Sequence, residues 1–421
     1  MQNKILLVVL LFLCFINVVY AKELDLGSEK YIIYNMNDNR ILDENNSHDE
    51  TSIASLTKIM TVIVAIEHID NYDEKVTITD SMLNDIDWDV AKVGFKEGES
   101  LTYNDLLYGA ILASGADAVN ALAISVSGNK EDFVKLMNDK VSELGLKNTH
   151  FQNVVGLYSE SNYSSAYDMA QILIYALKND KFKEVFEKRN YTFSNGKKTR
   201  STIEIYNGGG NNISYITGSK TGYIKKAGYC LASTARMNDV NYLMITLNNY
   251  SKEKNSYIKD HIKSYNYFNN NYGYKELVNS EDVIVTLKTK YAKEKEVNIK
   301  SGVTYNYYLK NDYDKNNVKY EYDGPNMVSY FRNKGTRLGH VKIRYNDEIL
   351  KEYDLIYNEE LTFDLESYIL TNKTWILILL IVLFLIILVK AVKDKNEKKN
   401  ETIWVDNVVL KFYNINRGLY F

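Results

Sequence analysis

The chain has 421 residues but only two cysteines, one proline and five histidines, and neither sign of charge is in excess. Each shortage excludes something. Cys14 lies inside an N-terminal apolar run, which leaves Cys230 alone in a mature chain with no intramolecular disulfide to form. His48, His68, His150, His261 and His340 contain no i, i+4 pair of the kind that binds zinc on a helix, and no metal or cofactor is expected. With 51 basic against 54 acidic residues the net charge is -3, so the chain has no global field with which to grip nucleic acid. Its length is several times that of a small stapled module, and at about 150 residues per domain it predicts two or more folded units.

What the chain does have is two long apolar runs, one near each end. Lys4 precedes the first, from Ile5 to Val19, and Val19-Tyr20-Ala21 follows as an A-x-A-like site; this is the pattern of a signal peptide, 1–21, cleaved after Ala21, with an uncleaved N-terminal anchor as the alternative. The second run is unbroken from Trp375 to Val389. With its flanks it predicts a transmembrane helix over 369–392, near the ~20 residues needed to cross a bilayer. Lys390, Lys393, Lys395, Lys398 and Lys399 follow it, against Lys373 before it. That bias puts the tail 393–421 in the cytoplasm and the body outside a single-pass plasma-membrane protein.

Between the runs the pattern changes once. Residues 22–274 mix helix and strand. Residues 30–42 read as a β-hairpin turning at Asn35 to Asn39; Leu56, Ile59, Met60, Ile63 and Ile66 share a helical face; and Leu106 to Ile124 reads as one buried helix. Asp132 to Leu144 and Ala166 to Leu177 follow as helices, then Tyr229 to Ala235 and Asn241 to Leu247 as adjacent strands. Residues 275–365 alternate apolar and polar side chains, as in Val283 to Leu287, Val341 to Tyr345 and Tyr353 to Tyr357, which predicts a small all-β domain without a reactive cluster.

Three short motifs carry chemistry. Ser55-Leu56-Thr57-Lys58 puts a hydroxyl and an amine three residues apart on one helical face, where a lysine kept neutral by burial or nearby positive charge takes the serine proton. Alone, this pattern equally fits a helix cap beside a solvated lysine. Lys220-Thr221-Gly222 offers a cation, a hydroxyl and a backbone bare enough for substrate to lie against. Ser114-Gly115 follows an apolar segment that projects a hydroxyl from a buried element, or serves as an ordinary turn. The order Ser55, Ser114, Lys220 makes the set specific.

With these motifs the chain resembles the serine D-alanyl-D-alanine carboxypeptidases, low-molecular-mass penicillin-binding proteins that share S-x-x-K and K-T-G with serine β-lactamases. The likeness runs from Glu29 to about Thr362 and includes Ile53 to Thr61, Leu106 to Gly109, Gly145 to Phe151, Asn153 to Leu157, Tyr163 to Ala170, Gly218 to Tyr223 and Ala227 to Leu231. It implies an α/β fold: an antiparallel sheet flanked by helices with a helical subdomain, then the small β domain and a membrane helix. It also implies that Ser55 attacks the penultimate D-alanine of a stem peptide ending in D-Ala-D-Ala, that Lys58 accepts its proton, and that Ser114 relays a proton to the leaving group. Lys220 holds the proton affinity of Lys58 down and, with Thr221, binds the terminal carboxylate. Gly222 lies along the substrate, the backbone N–H groups of Ser55 and Tyr223 meet the oxyanion, and β-lactam antibiotics acylate the same serine.

The chain departs from the family pattern in two places. The middle motif S-x-N reads Ser114-Gly115-Ala116, so an amide donor is absent, a loss worth ~2 to 4 kcal/mol of transition-state binding in a dry site. Asp117 and Asn120 are the nearest replacements. No arginine stands between Tyr250 and Tyr265, leaving Lys252 or Lys254 to take that part. Ala116 keeps a second reading open, a silent penicillin- or peptidoglycan-binding sensor. A serine β-lactamase is the third; it lacks the Glu-x-x-Leu-Asn pattern, to which Glu143 to Lys147 is only a near match.

Overall fold

The structure, a computed structural model, describes residues 24–417 apart from Asp85. The expected signal peptide and its cleavage point lie outside the described residues. The chain divides into two compact units, Met1–Asn271 and Tyr272–Phe421.

The first unit is built on a five-stranded antiparallel sheet. Its strands are β1 (Ser28–Asn35), β2 (Arg40–Asn45), β3 (Ile216–Ile224), β4 (Gly228–Met237) and β5 (Val240–Asn249), in the order β2-β1-β5-β4-β3. The expected hairpin is β1 and β2, turning through Asn39 at φ 50°, a left-handed conformation that asparagine tolerates. Both faces of the sheet are covered, so its central strand is almost continuously buried. Leu243, Ile245 and Leu247 enter the main core, while on the other face Thr246 bonds His261 Nε2 at 2.9 Å and Tyr242 meets the Tyr265 ring. His261 and Tyr265 belong to α6 (Ser256–Asn271), and burial holds the His261 imidazole neutral, its pKa lowered to about 3. Cys230 is also buried, its thiol pushed up to about 12 by loss of water, which leaves it inert at neutral pH.

The main core is organised around helix α1 (Thr57–Glu67), in which every residue but Glu67 is buried. Ile59, Thr61, Val62, Ile63, Val64 and Ile66 are β-branched, which disfavours helix, and no side chain caps its N-terminus. Burial on all sides overrides both costs, because α1 packs against α2 (Tyr103–Ile111), α3 (Ala116–Ser127), α4 (Lys130–Glu143) and α5 (Ala166–Ala176). The single helix expected from Leu106 to Ile124 is in fact α2 and α3. Leu112 to Gly115 break it, because Ser114 adopts φ 57° and the Gly115 and Ala116 N–H groups bond Gly109 O and Ala91 O. A run apolar on all sides conceals such a break, since burial is equally deep on either side of it.

The second unit holds three small sheets around Leu287, Ile299, Val341, Ile343 and Leu355, as the alternating pattern predicts. Strands Thr336–Tyr345 and Glu348–Tyr357 are joined by Asn346 and Asp347, both at positive φ, the two-residue turn whose twist suits a hairpin. A helix α7, Leu365–Arg417, ends the described chain.

Candidate active site

Ser55 lies in the turn Ala54–Leu56 that leads into α1, and Lys58 is the second residue of that helix. Lys58 Nζ stands 2.8 Å from Ser55 Oγ and donates to Val155 O at 2.6 Å. The turn is held from outside. Ala54 sits at φ 49°, and Gly156, at φ 89°, passes so close that a Cβ there would lie 2.0 Å from Ala54 O. Only glycine fits, on both conformation and space. Gly156→Ala is therefore expected to destabilise the fold by about 1–3 kcal/mol and to slow acylation of Ser55, checked by thermal melting and by the rate of penicillin labelling. A melt and a labelling rate equal to wild type would show that the turn does not depend on this contact.

Ser114 is the other strained residue. Apart from Ala54, Ser114 and Tyr291, every described non-glycine residue at positive φ is Asn or Asp, types that accept the left-handed region readily. Such strain persists only where the surroundings enforce it, and here it stands at two of the three motifs. Lys220 Nζ is 2.8 Å from Ser114 Oγ and donates to Thr221 O at 2.7 Å, so strand β3 is tied to the α2–α3 break. Thr221 Oγ1 donates to Thr202 Oγ1 at 2.7 Å. Gly222 lets the same strand run against the Ser55 turn, where a Cβ would come within 3.1 Å of Ser55 N. The Tyr223 ring points outward, 56% exposed, and packs on Tyr229.

Lys58 and Lys220 are buried to 1% and 0% exposure, and neither meets a carboxylate among the described residues. Burial alone brings the Lys58 pKa from 10.5 down to about 7. Lys220 is held well below the ordinary lysine range, first by burial and then by the charge of Lys58. The expected repulsion is thus present but acts on Lys220; what lowers the Lys58 pKa is loss of water.

Ser55, Lys58, Ser114, Lys220, Thr221 and Gly222 therefore converge on one site from a turn, a helix, a break between helices and a strand. The sequence model of peptidase family S11, D-alanyl-D-alanine carboxypeptidase, matches residues 17–251, more than half of the chain. The chain belongs to this carboxypeptidase family. Among curated relatives, D-alanyl-D-alanine carboxypeptidase DacF of Bacillus subtilis is 29% identical over 376 residues, 85% of this chain and 93% of that one. DacA of Escherichia coli K12 is 32% identical over 256 residues, 56% of this chain and 62% of that one. Penicillin-binding protein 5 of Haemophilus influenzae shares the fold, with a TM-score of 0.60 at 23% identity over 80% of this chain and 98% of that chain. The Streptomyces K15 DD-transpeptidase gives a TM-score of 0.52 at 27% identity over 58% of this chain and 97% of that one.

In this family member neither expected replacement takes the place of the missing amide. Asp117 does not replace it: its carboxylate accepts from Val93 N, Gly94 N and Phe95 N at 3.0, 2.8 and 3.0 Å and so fastens the loop before α2. Lys252 and Lys254 are exposed. Two contacts of the carboxypeptidase site are invisible to motif reading. Val155 acts through its carbonyl, which any residue supplies, and Thr202 is 19 positions from Thr221 in a short helix with no motif of its own.

Proposed function

We propose that the chain removes the terminal D-alanine from peptidoglycan stem peptides ending in D-Ala-D-Ala, through an acyl-enzyme on Ser55, and that β-lactams acylate the same oxygen. The observation that carries this reading is a lysine with a pKa near 7 standing 2.8 Å from a serine hydroxyl. Neutral Lys58 takes the Ser55 proton as Oγ attacks the penultimate carbonyl carbon. The oxyanion lies between the N–H groups of Ser55 and Tyr223. Ser114, held by Lys220, passes a proton to the departing amine, and water then cleaves the ester to free the shortened peptide. The substrate carboxylate, bound by Lys220 and Thr221, favours the charged form of Lys220 and so offsets the cost of its burial.

The test is release of free D-alanine from a D-Ala-D-Ala peptide by the full-length chain in detergent, beside Ser55→Ala. Release that the substitution abolishes supports the enzyme. A single acylation by penicillin with no release of D-alanine would favour the sensor reading.

The same proposal puts the protein in the plasma membrane with its catalytic unit outside. Within α7, the most apolar 18-residue stretch of Leu365–Lys395 has a mean hydropathy of 3.2 and none of it is buried, and the 31 residues of the segment rise about 46 Å, enough to cross a core ~30 Å thick. Protease added to intact cells is expected to digest the catalytic unit and spare the segment after Lys390. Digestion of that segment with the catalytic unit protected would reverse the orientation.

A further inference from the structure

A cavity of about 350 Å³ opens beside the catalytic residues. Ala116 lies two residues after Ser114 and forms one side of the cavity; Val155, whose carbonyl receives Lys58 Nζ, forms another. The cavity therefore adjoins the site. Ile86, Val90, Val134 and Val154 make the remaining walls apolar. One polar side chain looks into it from deep within the fold. Asn120 is 4% exposed and stands one helical turn after Ala116 on the same face of α3. Its carboxamide makes no hydrogen bond to another described residue and, lying in the cavity wall, is open to whatever occupies that space. Such a group in a cavity wall is satisfied by water or by a ligand that displaces it.

We propose that this cavity is the subsite for the side chain of the residue that precedes D-Ala-D-Ala in the peptide, with Asn120 as its specificity-determining residue. This rests on the carboxypeptidase reading above. The chemistry of the walls defines the occupant: an aliphatic chain that fits the valine and isoleucine surfaces and ends in a hydrogen-bonding group. Lys130 and Glu131, of opposite charge, both line the cavity, so it favours no net charge, and the amide of Asn120 both donates and accepts. A carboxamide terminus satisfies all three conditions. Where the family motif places an asparagine amide at the start of α3, this chain has moved the amide one turn inward. The vacated volume becomes a pocket for substrate.

The test measures equilibrium binding to the full-length Ser55→Ala chain in detergent, so that turnover does not enter. Three peptides ending in D-Ala-D-Ala are compared, with glycine, norleucine or glutamine as the residue before D-Ala-D-Ala. Glutamine is expected to bind most tightly and glycine least. Adding Asn120→Leu, which keeps the volume and removes the amide, reduces the glutamine-over-norleucine ratio about tenfold. Adding Ala116→Asn in its place, which fills the mouth of the cavity, brings all three peptides towards the glycine value. Ratios taken within one variant cancel any general loss of folded protein. Equal affinities for the three peptides, or ratios that neither substitution changes, overturn the subsite. D-alanine release by the wild-type chain with equal affinities would sink the subsite and keep the carboxypeptidase; graded affinities without release would do the reverse.

Discussion

Replacing Ser55 by alanine is expected to lower D-alanine release by about 10⁴-fold or more and to abolish covalent penicillin labelling, while the chain keeps its melting temperature to within a few degrees. The size of the effect follows from geometry. The other serine hydroxyl of the site, Ser114, faces Lys220 across 2.8 Å, and Lys58 is engaged with Val155 O on its other side, so nothing else stands where Ser55 does. Stability is spared because Ser55 is only partly buried and lies in a turn fixed by Gly156 and Ala54 rather than by its own side chain. Residual labelling of Ser55→Ala by penicillin would place the nucleophile elsewhere and remove the acyl-enzyme from this turn.

The second large effect is on pH. Only neutral Lys58 accepts a proton from Ser55, and with a pKa of about 7 its neutral fraction falls tenfold for each unit of acidification below that point. kcat/KM is expected to climb tenfold per unit below pH 7 and to level off above it, measured as D-alanine release at subsaturating peptide. An unperturbed lysine would instead give a limb still rising near pH 10. Lys58→Arg keeps the charge in a group that does not deprotonate, and is expected to lose about 10²- to 10⁴-fold. A profile flat from pH 5 to 9 would show that Lys58 is not the base.

Much of this site was readable because chemistry imposes residue types. A serine and a lysine three apart, a second serine and a Lys-Thr-Gly strand leave marks that survive without any knowledge of the fold. The hairpin β1–β2 and the alternating β unit were readable for a different reason, since turn residues and a period of two are local properties. What could not be read is whatever acts through backbone or through shape. The break at Ser114 carries no proline, only Gly115, and both flanks are equally apolar. Val155 contributes a carbonyl, Gly156 contributes the absence of a side chain, and Asp117, which looked like a spare catalytic group, spends both carboxylate oxygens on a loop. The cause of the low Lys58 pKa was likewise hidden, because burial is a property of the folded core and not of the motif.

The two buried lysines have a thermodynamic consequence for the molecule that carries them. In the unfolded chain Lys58 titrates in the ordinary range near 10.5, and in the folded chain near 7, so between those values the unfolded state holds the extra proton. Folding stability therefore increases as pH rises through that window, and below about 7 the native state bears the full penalty of a charged amine sealed from water, on the order of a few kcal/mol. Lys220 adds a penalty of the same sign. The two lysines thus cost the catalytic unit most stability below about pH 7, and any hydrophobic replacement that relieved the weakness would also silence the chemistry. Resistance to acid and the ability to acylate are set by the same two side chains, in opposite directions.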